Sequence, residues 1–289
     1  MTFDAGRAPV VNAMTIDVEE YFHASVFNRV VPREAWDRRE SRVCQSTDKV
    51  LKILSDAKVH ASFFVLGWVA ARYPEQIKRI AALGHEIASH GYDHRLVYEQ
   101  TPDAFREDVR RAKGMLETLT GNRVDGFRAP SYSITGRSLW ALDILLEEGH
   151  QYDASIFPIH HDRYGIPTAP RHPYVHQHEG RGLVEAPPST VRLGRVNLPV
   201  AGGGYFRLLP YGWTRWGIRR LNDVERKPAI FYVHPWELDA DQPRLPVGRT
   251  SAMRHYGNLR HTEAKLGRLL GDFKFAPLSA VLAGHLPSC

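Results

Sequence analysis

Alternation of apolar strand-like segments with amphipathic helical segments is the feature that most constrains the fold of this chain. "NAMTIDVE" (12–19) has the pattern of a buried strand, and a helical pattern at 46–58 follows it. The same unit then recurs, so that it occurs four times before residue 157. The further strands are predicted at 60–67, 85–89, 124–130 and 151–155, and the further helices at 69–84, 101–121 and 137–149. Regular alternation predicts parallel strands with helices outside, as an open sheet or a (β/α) barrel.

Helix start and stop signals accompany several of these segments. Ser46 or Thr47 is expected to cap the first helix. Pro74 is expected to interrupt or restart the second. The helix at 101–121 has Thr101 at its predicted cap, Pro102 at its first position and Gly121 just beyond its end. These residues fix the predicted boundaries more firmly than hydropathy alone.

The alternation breaks between residues 157 and 205, a span rich in Pro, Gly and His. A structureless loop of that length is unusual in a compact domain, so short β segments are expected at 183–190 and 195–200 within an irregular insertion that forms a lid or wall. Alternation resumes with a helix at 210–223, a strand at 228–238, a helix at 258–271 and a last element in "FKFAPLSAVL". No composition shift marks a linker, so residues 1–289 are expected to form one domain with 240–289 as a C-terminal extension.

Composition restricts the class of protein. With 43% hydrophobic and 24% charged residues, the chain is typical of a globular protein with a large core. The net charge of +6 does not predict nucleic-acid binding, because the basic residues are dispersed among acids. Two distant cysteines, Cys44 and Cys289, do not suggest a disulfide framework. No signal-peptide pattern or transmembrane stretch is recognised, so the mature chain is expected to start near Met1 and to be cytoplasmic, with the inner face of the membrane as an option.

Candidate site residues lie at the ends of the predicted strands. Strand alternation puts Asp17 and Glu19 on one face of "TIDVEE". His90 and His94 follow the third strand in "SHGYDH". The carboxyl ends of parallel strands share one rim, where such barrels have their active sites, and Arg128 and His234 would reach the same rim. A carboxylate and two neutral imidazoles suit Zn²⁺ or another divalent first-row ion, which leaves a second carboxylate free to act as a base.

Four motifs in this order resemble the polysaccharide deacetylases, carbohydrate esterase family four with a nodulation-type deacetylase domain. The motifs are "TIDVEE", "SHGYDH", "FRAPSYS" and "FYVHPWE". The chain is most similar to the subgroup found beside exopolysaccharide and exosortase loci, which has "DVE", "RAPS" and a segment like "GGGYFRLLPY". The resemblance implies a distorted (β/α)7 barrel and metal-dependent removal of N-acetyl groups from an amino-sugar polymer or lipid-linked glycan. The metal would be Zn²⁺, with Co²⁺, Ni²⁺ or Mn²⁺ as alternatives.

The resemblance also assigns roles to individual residues. Asp17 matches the general base, His90 and His94 match the metal ligands, and Arg128 matches the arginine that orients the base. Val18 stands where the family has its aspartate ligand, so strand geometry favours Glu19 over Glu20 as the replacement. The Ser131 backbone N–H matches the oxyanion donor. His234 matches the acid that protonates the leaving amine, and Asp153 is a candidate for tuning it.

Substrate contacts and competing functions complete the expectations. Tyr132, Tyr205, Phe206 and Trp236 are expected to contact the glycan, and the remaining histidines are interpreted as surface residues. A peripheral contact with a membrane-bound biosynthetic complex is also expected. Two alternatives stay open: an amidohydrolase of the same fold acting on a small cyclic amide such as a ureide, and a non-catalytic glycan-binding module. Intact His90, His94, Asp17 and His234 favour the deacetylase.

Overall fold

A mostly parallel sheet, surrounded by helices, dominates the computed structural model, which describes residues 9–286. Cys289 and the first eight residues therefore lie outside the described part of the chain, as does the predicted start at Met1. Seven strands run parallel in the order β10-β1-β2-β3-β4-β5-β7. They are β1 (Asn12–Val18), β2 (Ser62–Val65), β3 (Glu86–Ser89), β4 (Gly126–Phe127), β5 (Tyr152–Asp153), β7 (Arg181–Glu185) and β10 (Ile230–Val233).

The two ends of the parallel sheet meet at Ser189. Its backbone N–H donates to the Ile230 carbonyl at 3.2 Å, and its hydroxyl oxygen accepts from the Ile230 N–H at 2.7 Å. Four strands lie outside this series of seven: β6 pairs antiparallel with β7, β8 pairs antiparallel with β9, and β11 pairs parallel with β1. They are β6 (Tyr174–His178), β8 (Thr190–Leu193), β9 (Val196–Pro199) and β11 (Phe275–Ala276). The fold is the distorted (β/α)7 barrel that the motifs implied.

Helices cover the outside of the sheet. All seven residues of β1 are buried, as expected of a parallel strand covered on both faces. The helices are α1 (Val43–Asp56), α2 (Gly67–Arg72), α3 (Pro74–Ala82), α4 (Pro102–Thr120), α5 (Trp140–Glu147), α6 (Gly203–Leu208), α7 (Tyr211–Arg219), α8 (Arg249–Tyr256), α9 (Leu259–Asp272) and α10 (Leu278–Leu282). Within residues 9–286, no helix is both long enough and apolar enough to cross a membrane.

The predicted helix boundaries are confirmed at two places and wrong at one. Thr101 caps α4 by accepting from the Ala104 N–H, and Gly121 ends that helix in the left-handed conformation with φ of 70°. The predicted helix at 69–84 divides at Pro74 into α2 and α3. By contrast, α1 begins at Val43, and Ser46 lies buried inside it rather than at its cap. Packing of the first turn outweighs the capping preference there.

The predicted insertion is more regular than its composition indicates. Residues 157–205 contain β7, which is one of the seven parallel strands, because Tyr152 pairs with Val184. The short β segments expected at 183–190 and 195–200 overlap β7 and β9, but the prediction of a lid or wall did not identify β7 as a strand of the barrel. The predicted strand at 228–238 is also too long: β10 ends at Val233, and a 3-10 turn covers Pro235–Leu238. Pro235 ends the strand because it cannot donate to a sheet hydrogen bond.

Candidate metal centre and active site

Strand β1 supplies two carboxylates to the barrel rim. Asp17 is the penultimate residue of β1, Glu19 follows the strand directly, and both side chains are buried. Glu20 points elsewhere, since its carboxylate accepts from the Arg42 backbone N–H and from the Ser41 hydroxyl. The alternation of side chains along an extended segment explains this separation. The structure therefore places Glu19, and not Glu20, in the site.

The segment after β3 folds back so that both of its histidines reach the same place. Gly91 has φ of 72°, and a Cβ there would lie 2.9 Å from Asp108 Oδ2. His94 also adopts a left-handed conformation, with φ of 52°. Asp108 on α4 holds the turn by accepting from the Tyr92 N–H at 2.8 Å and the Asp93 N–H at 3.3 Å. Left-handed backbone at a residue other than glycine is strained and is typical of functional sites.

Glu19, His90 and His94 meet in a group suited to a metal ion. One ligand atom from each residue lies within 4.8 Å of the other two. Glu19 Oε2 is 2.7 Å from His94 Nε2 and 3.7 Å from His90 Nε2. His90 Nδ1 lies 2.8 Å from the Arg128 carbonyl oxygen, which can only accept, so Nδ1 carries the proton and Nε2 has its lone pair free. Two imidazoles and one carboxylate fit Zn²⁺ and related ions.

The charge state of Glu19 also fits a ligand. Burial alone would raise its pKa, but the neighbouring His94 and His90 outweigh burial and hold the pKa well below the ordinary value of 4.5. The Trp236 indole N–H donates to Glu19 Oε1 at 3.0 Å, which orients the carboxylate. Glu19 is therefore ionised at neutral pH and ready to bind a cation.

Asp17 is held by a buried arginine. Arg128 Nη1 lies 2.6 Å from Asp17 Oδ1 and donates to Thr15 Oγ1 at 2.9 Å. Arg128 Nε donates to the Ala154 carbonyl at 3.2 Å. The guanidinium is 1% exposed and stands over the Phe64 ring at 4.1 Å. A buried arginine with fixed partners orients the carboxylate without leaving it unpaired.

Ser131 lies in a tight turn after Arg128. Ser131 and Tyr132 have φ of 53° and 54°, so two successive residues are left-handed. The Tyr132 and Ser133 N–H groups donate to the Ala129 and Pro130 carbonyls, whereas the Ser131 N–H has no such backbone partner within residues 9–286. Successive N–H groups in such turns form concave anion sites. The oxyanion role of Ser131 stays a prediction that this geometry suits.

His234 follows β10 and faces both carboxylates of β1. Its Nε2 lies 3.8 Å from Asp17 Oδ2 and 3.9 Å from Glu19 Oε1. Its Nδ1 lies 3.0 Å from Glu237 Oε2. Burial lowers the pKa of His234, but the hydrogen bond that His234 donates to Glu237, together with the Glu237 charge, dominates and raises the pKa to about 9. The partner of His234 is thus Glu237, and the suggestion of Asp153 is wrong.

Asp153 belongs to a different cluster. It lies with Glu185, and both side chains are fully buried. Burial raises the pKa of both groups, and each affects the other; the pKa of Glu185 lies well above its ordinary value. The Ser155 hydroxyl donates to Asp153 Oδ1 and its oxygen accepts from the Ala129 N–H at 2.7 Å. This carboxyl pair therefore packs behind the turn that carries Arg128.

The expected glycan contacts are revised in two cases. Phe206 is 1% exposed and packs against Phe231 with ring centroids 5.0 Å apart, so it cannot stack on a sugar. Trp236 is 6% exposed, and its faces are covered by His234 and His255 at 5.1 and 4.4 Å. The expected contact with the glycan is therefore wrong for both Phe206 and Trp236. Tyr205 is half-buried and keeps an accessible part, while Tyr132 is 6% exposed in the aromatic wall beside Tyr232.

A cleft of about 430 Å³ adjoins the metal group at His94. Trp36 and the ion-paired Arg33 and Asp93 are among its lining residues. Polar side chains beside an aromatic edge are typical of ligand clefts.

Three residues around His234 and Glu19 were missed in the sequence: Glu237, Arg207 and the donor role of Trp236. A signal for Glu237 was present, because it lies three residues after His234, where its carboxylate can accept from the His234 backbone N–H at the start of the 3-10 turn. Arg207 lies in the quoted segment "GGGYFRLLPY", but nothing local in that segment links it to Glu237 or His234, because both are distant in sequence.

Two family models match the chain in adjoining regions. Residues 37–145 match the model described as "Polysaccharide deacetylase". This region carries the polysaccharide deacetylase match. Residues 154–283 match "Domain of unknown function (DUF3473)". His90, His94 and Arg128 lie in the first region and His234 lies in the second, whereas Asp17 and Glu19 precede both.

Curated relatives match about a third of this chain. A Bacillus cereus peptidoglycan-N-acetylglucosamine deacetylase is 34% identical over 98 residues, which cover 34% of this chain and 36% of that protein. A Sinorhizobium fredii chitooligosaccharide deacetylase is 33% identical over 106 residues, covering 34% of this chain and 44% of that protein. The matched region thus spans less than half the length of these deacetylases.

Solved structures resemble the chain over nearly its whole length. A Mycobacterium smegmatis protein, provisionally assigned as a polysaccharide deacetylase, has a TM-score of 0.63 at 22% identity, covering 98% of this chain and 92% of the other. Puue allantoinase has a TM-score of 0.62 at 16% identity, covering 98% and 94%. These likenesses establish the fold. They do not distinguish deacetylation from allantoin hydrolysis, because both structures resemble the chain to a similar degree.

Proposed function

We propose that this protein is a metal-dependent deacetylase that hydrolyses N-acetyl groups of an amino-sugar polysaccharide or lipid-linked glycan. The observation that carries the proposal is the convergence of Glu19, His90 and His94 within 4.8 Å, with Asp17 and His234 beside them. Amide hydrolysis needs an electrophilic activator, a base and an acid, and this site has candidates for all three.

A divalent cation would be held by a Glu19 oxygen and by Nε2 of His90 and His94. Zn²⁺ suits this ligand set best, and Co²⁺, Ni²⁺ and Mn²⁺ are accepted by similar ligands. When bound, such an ion would polarise the acetyl carbonyl and lower the pKa of water. Three protein ligands leave coordination positions for substrate and water, as catalytic sites require.

The chain's own residues supply the remaining functions. Asp17, oriented by Arg128 at 2.6 Å, accepts the proton of the attacking water. The Ser131 N–H would donate to the carbonyl oxygen as it becomes negative, an interaction worth about 3 kcal/mol in comparable sites. His234 gives its Nε2 proton to the departing nitrogen. The products are acetate and a free amino sugar.

We place this activity in exopolysaccharide biosynthesis, at the cytoplasmic side of the membrane. The support is the likeness of "DVE", "RAPS" and "GGGYFRLLPY" to the exopolysaccharide-locus subgroup, together with a second family model over residues 154–283. The substrate in that setting is an acetylated glycan made by a membrane-bound complex, which the protein would contact peripherally.

The decisive test measures acetate release by metal-reconstituted protein from a panel of acetylated glycans, including N-acetylglucosamine oligomers. Mass spectrometry should show products lighter by one acetyl group, and allantoin should remain unchanged. Hydrolysis of allantoin without acetate release would instead establish the ureide amidohydrolase. Polymer binding without any acetate release would overturn the proposal in favour of a glycan-binding module.

A further inference from the structure

We propose that Glu237 and Arg207 form a positioning pair for His234, the acid of the proposed reaction. Glu237 is fully buried, and Arg207 is 2% exposed. Glu237 Oε1 accepts from Arg207 Nε at 2.6 Å. The inference rests on the proposed function only for the chemistry that His234 performs, because the contacts themselves are independent of it.

Glu237 touches His234 at two points through one oxygen. Oε2 accepts from the His234 backbone N–H at 3.0 Å and lies 3.0 Å from His234 Nδ1. An ionised carboxylate only accepts, so Nδ1 must carry a proton. The other ring nitrogen, Nε2, is then the atom that faces Asp17 and Glu19. Glu237 thereby sets which nitrogen of His234 is directed toward the substrate.

Arg207 is fixed by more than its ion pair. Its Nη1 donates to the carbonyls of His255 and Gly257 at 2.9 and 2.8 Å, and its Nη2 donates to the Arg254 carbonyl at 2.9 Å. A planar guanidinium with four such bonds has little freedom to move, and lysine cannot reproduce the arrangement. Arg207 therefore ties Glu237 to the end of α8, which lies within residues 154–283.

Ring stacking restrains His234 further. The Trp236 ring lies 25° from the His234 plane with centroids 5.1 Å apart, and the His255 ring also stacks on Trp236, with centroids 4.4 Å apart. With Nδ1 bonded to Glu237, the imidazole has one orientation available. Holding an acid in its productive orientation is a recognised source of rate enhancement.

The proton balance identifies the step that depends on this pair. Water adds to the acetyl carbon as its proton passes to Asp17, and the C–N bond then breaks with its electron pair on nitrogen. That nitrogen takes the Nε2 proton of His234, while Glu237 stays ionised and stabilises the imidazolium. An alkyl amine cannot leave without this proton, whereas a nitrophenolate can. Loss of the pair should therefore slow amide hydrolysis selectively.

Nearby, Asp239 offers a matched control. It is fully buried and lies 2.8 Å from Arg42 Nε, so it forms a similar carboxylate–guanidinium pair only two residues after Glu237. Asp239 does not contact His234 among the hydrogen bonds and ion pairs of the described residues. If the loss of a buried ion pair in this segment were enough to slow amide hydrolysis, Asp239→Asn and Glu237→Gln should slow it equally.

The kinetic test compares an N-acetylglucosamine oligomer with 4-nitrophenyl acetate for Glu237→Gln, Arg207→Lys and Asp239→Asn. Glu237→Gln should lower kcat on the oligomer by roughly 10- to 100-fold, with KM, metal content and aryl ester hydrolysis changed less than about threefold. Arg207→Lys should act in the same direction, and Asp239→Asn should leave the ratio of the two rates unchanged. Equal losses on both substrates, or the same selective loss in Asp239→Asn, would overturn the proposal.

A spectroscopic measurement tests the pair without turnover. Two-bond ¹H–¹⁵N spectra of ¹⁵N-histidine-labelled protein, with His234 assigned from its substitution, should show Nδ1 protonated in the wild type. An unprotonated Nδ1 in the wild type would contradict the positioning pair. A protonated Nδ1 in a protein that deacetylates no glycan would support the positioning pair and contradict the proposed function.

Discussion

The two sides of the candidate site are built differently. On the metal side, Glu19, His90 and His94 each lie within a few residues of the end of β1 or β3, so the strands themselves bring the ligands together. On the acid side, His234 depends on Glu237, and Glu237 depends on Arg207, which is anchored by carbonyls between 254 and 257. The metal side is therefore specified by strand ends, whereas the acid side is specified by tertiary contacts.

The largest effect should follow from removing a metal ligand. His94→Ala or Glu19→Gln should abolish stoichiometric metal binding and lower the rate of acetate release about 10³-fold. That loss corresponds to about 4 kcal/mol of transition-state stabilisation. Metal content by mass spectrometry and acetate assays measure the two effects.

Glu20→Gln is the control for this metal-side prediction. Glu20 is adjacent in sequence, but it bonds to Ser41 and Arg42 instead of the site. This variant should keep its metal. Equal metal loss in Glu19→Gln and Glu20→Gln would show that strand alternation does not select the ligand.

Asp17→Asn should separate base chemistry from metal binding. The substitution preserves the side-chain shape but cannot accept the proton of water, so acetate release should fall by roughly 10²- to 10⁴-fold. Metal content should be unchanged, because Asp17 is paired with Arg128 and is not one of the three clustered ligands. Loss of metal in this variant would move Asp17 to the metal side.

A moderate effect on stability, and little on catalysis, is expected from Glu185→Gln. Burial and Asp153 raise the folded-state pKa of Glu185 well above its ordinary value of 4.5, so the folded protein retains a proton that the unfolded chain releases. The free energy of unfolding should therefore fall as pH rises from about 4.5 toward the folded pKa, by up to about 1.4 kcal/mol per pH unit.

The Gln variant lacks this proton, so its stability should depend less steeply on pH in that window. Chemical denaturation at several pH values from 4 to 8 measures the slopes. Parallel curves for the wild type and Glu185→Gln would mean that Glu185 is ionised in the folded protein. A large loss of acetate release in a stably folded variant would instead attach this carboxyl pair to the catalytic site.

The smallest effect is expected at Tyr205. Tyr205→Ala should raise KM for a glycan oligomer about fivefold, the equivalent of about 1 kcal/mol from one aromatic contact, with kcat unchanged. Phe206→Leu, on a side chain buried in the core, should leave KM unchanged. Steady-state kinetics with oligomers of increasing length would distinguish them, and equal KM values for wild type and Tyr205→Ala would remove Tyr205 from the binding surface.

The sequence predicted the parts of this structure that depend on local patterns. The strand periodicity of β1 separated Glu19 from Glu20, and Thr101, Pro74 and Gly121 marked helix boundaries correctly. These outcomes follow from backbone geometry within a few residues. The convergence of Asp17, Arg128 and His234 also followed, since parallel strands end at one rim.

Features that depend on tertiary packing were not predictable in the same way. No local pattern links Arg207 to the groups that its side chain binds, because these lie 30 to 50 residues away in sequence. Phe206 and Trp236 look like sugar-stacking residues in sequence, yet the core and two histidine rings cover them. A β segment was expected at 183–190, but its place in the barrel as β7 depends on pairing with β5. In each case the deciding partner was remote in the chain.

Anomalous diffraction at the zinc edge, from crystals of the metal-loaded protein, tests the central claim most directly. One peak is predicted, bonded to a Glu19 carboxylate oxygen and to Nε2 of His90 and His94, with Asp17 and His234 adjacent but unbound to the ion. A peak at another location, or an ion that takes Asp17 or His234 as a ligand, would contradict the division of this site into a metal side and an acid side.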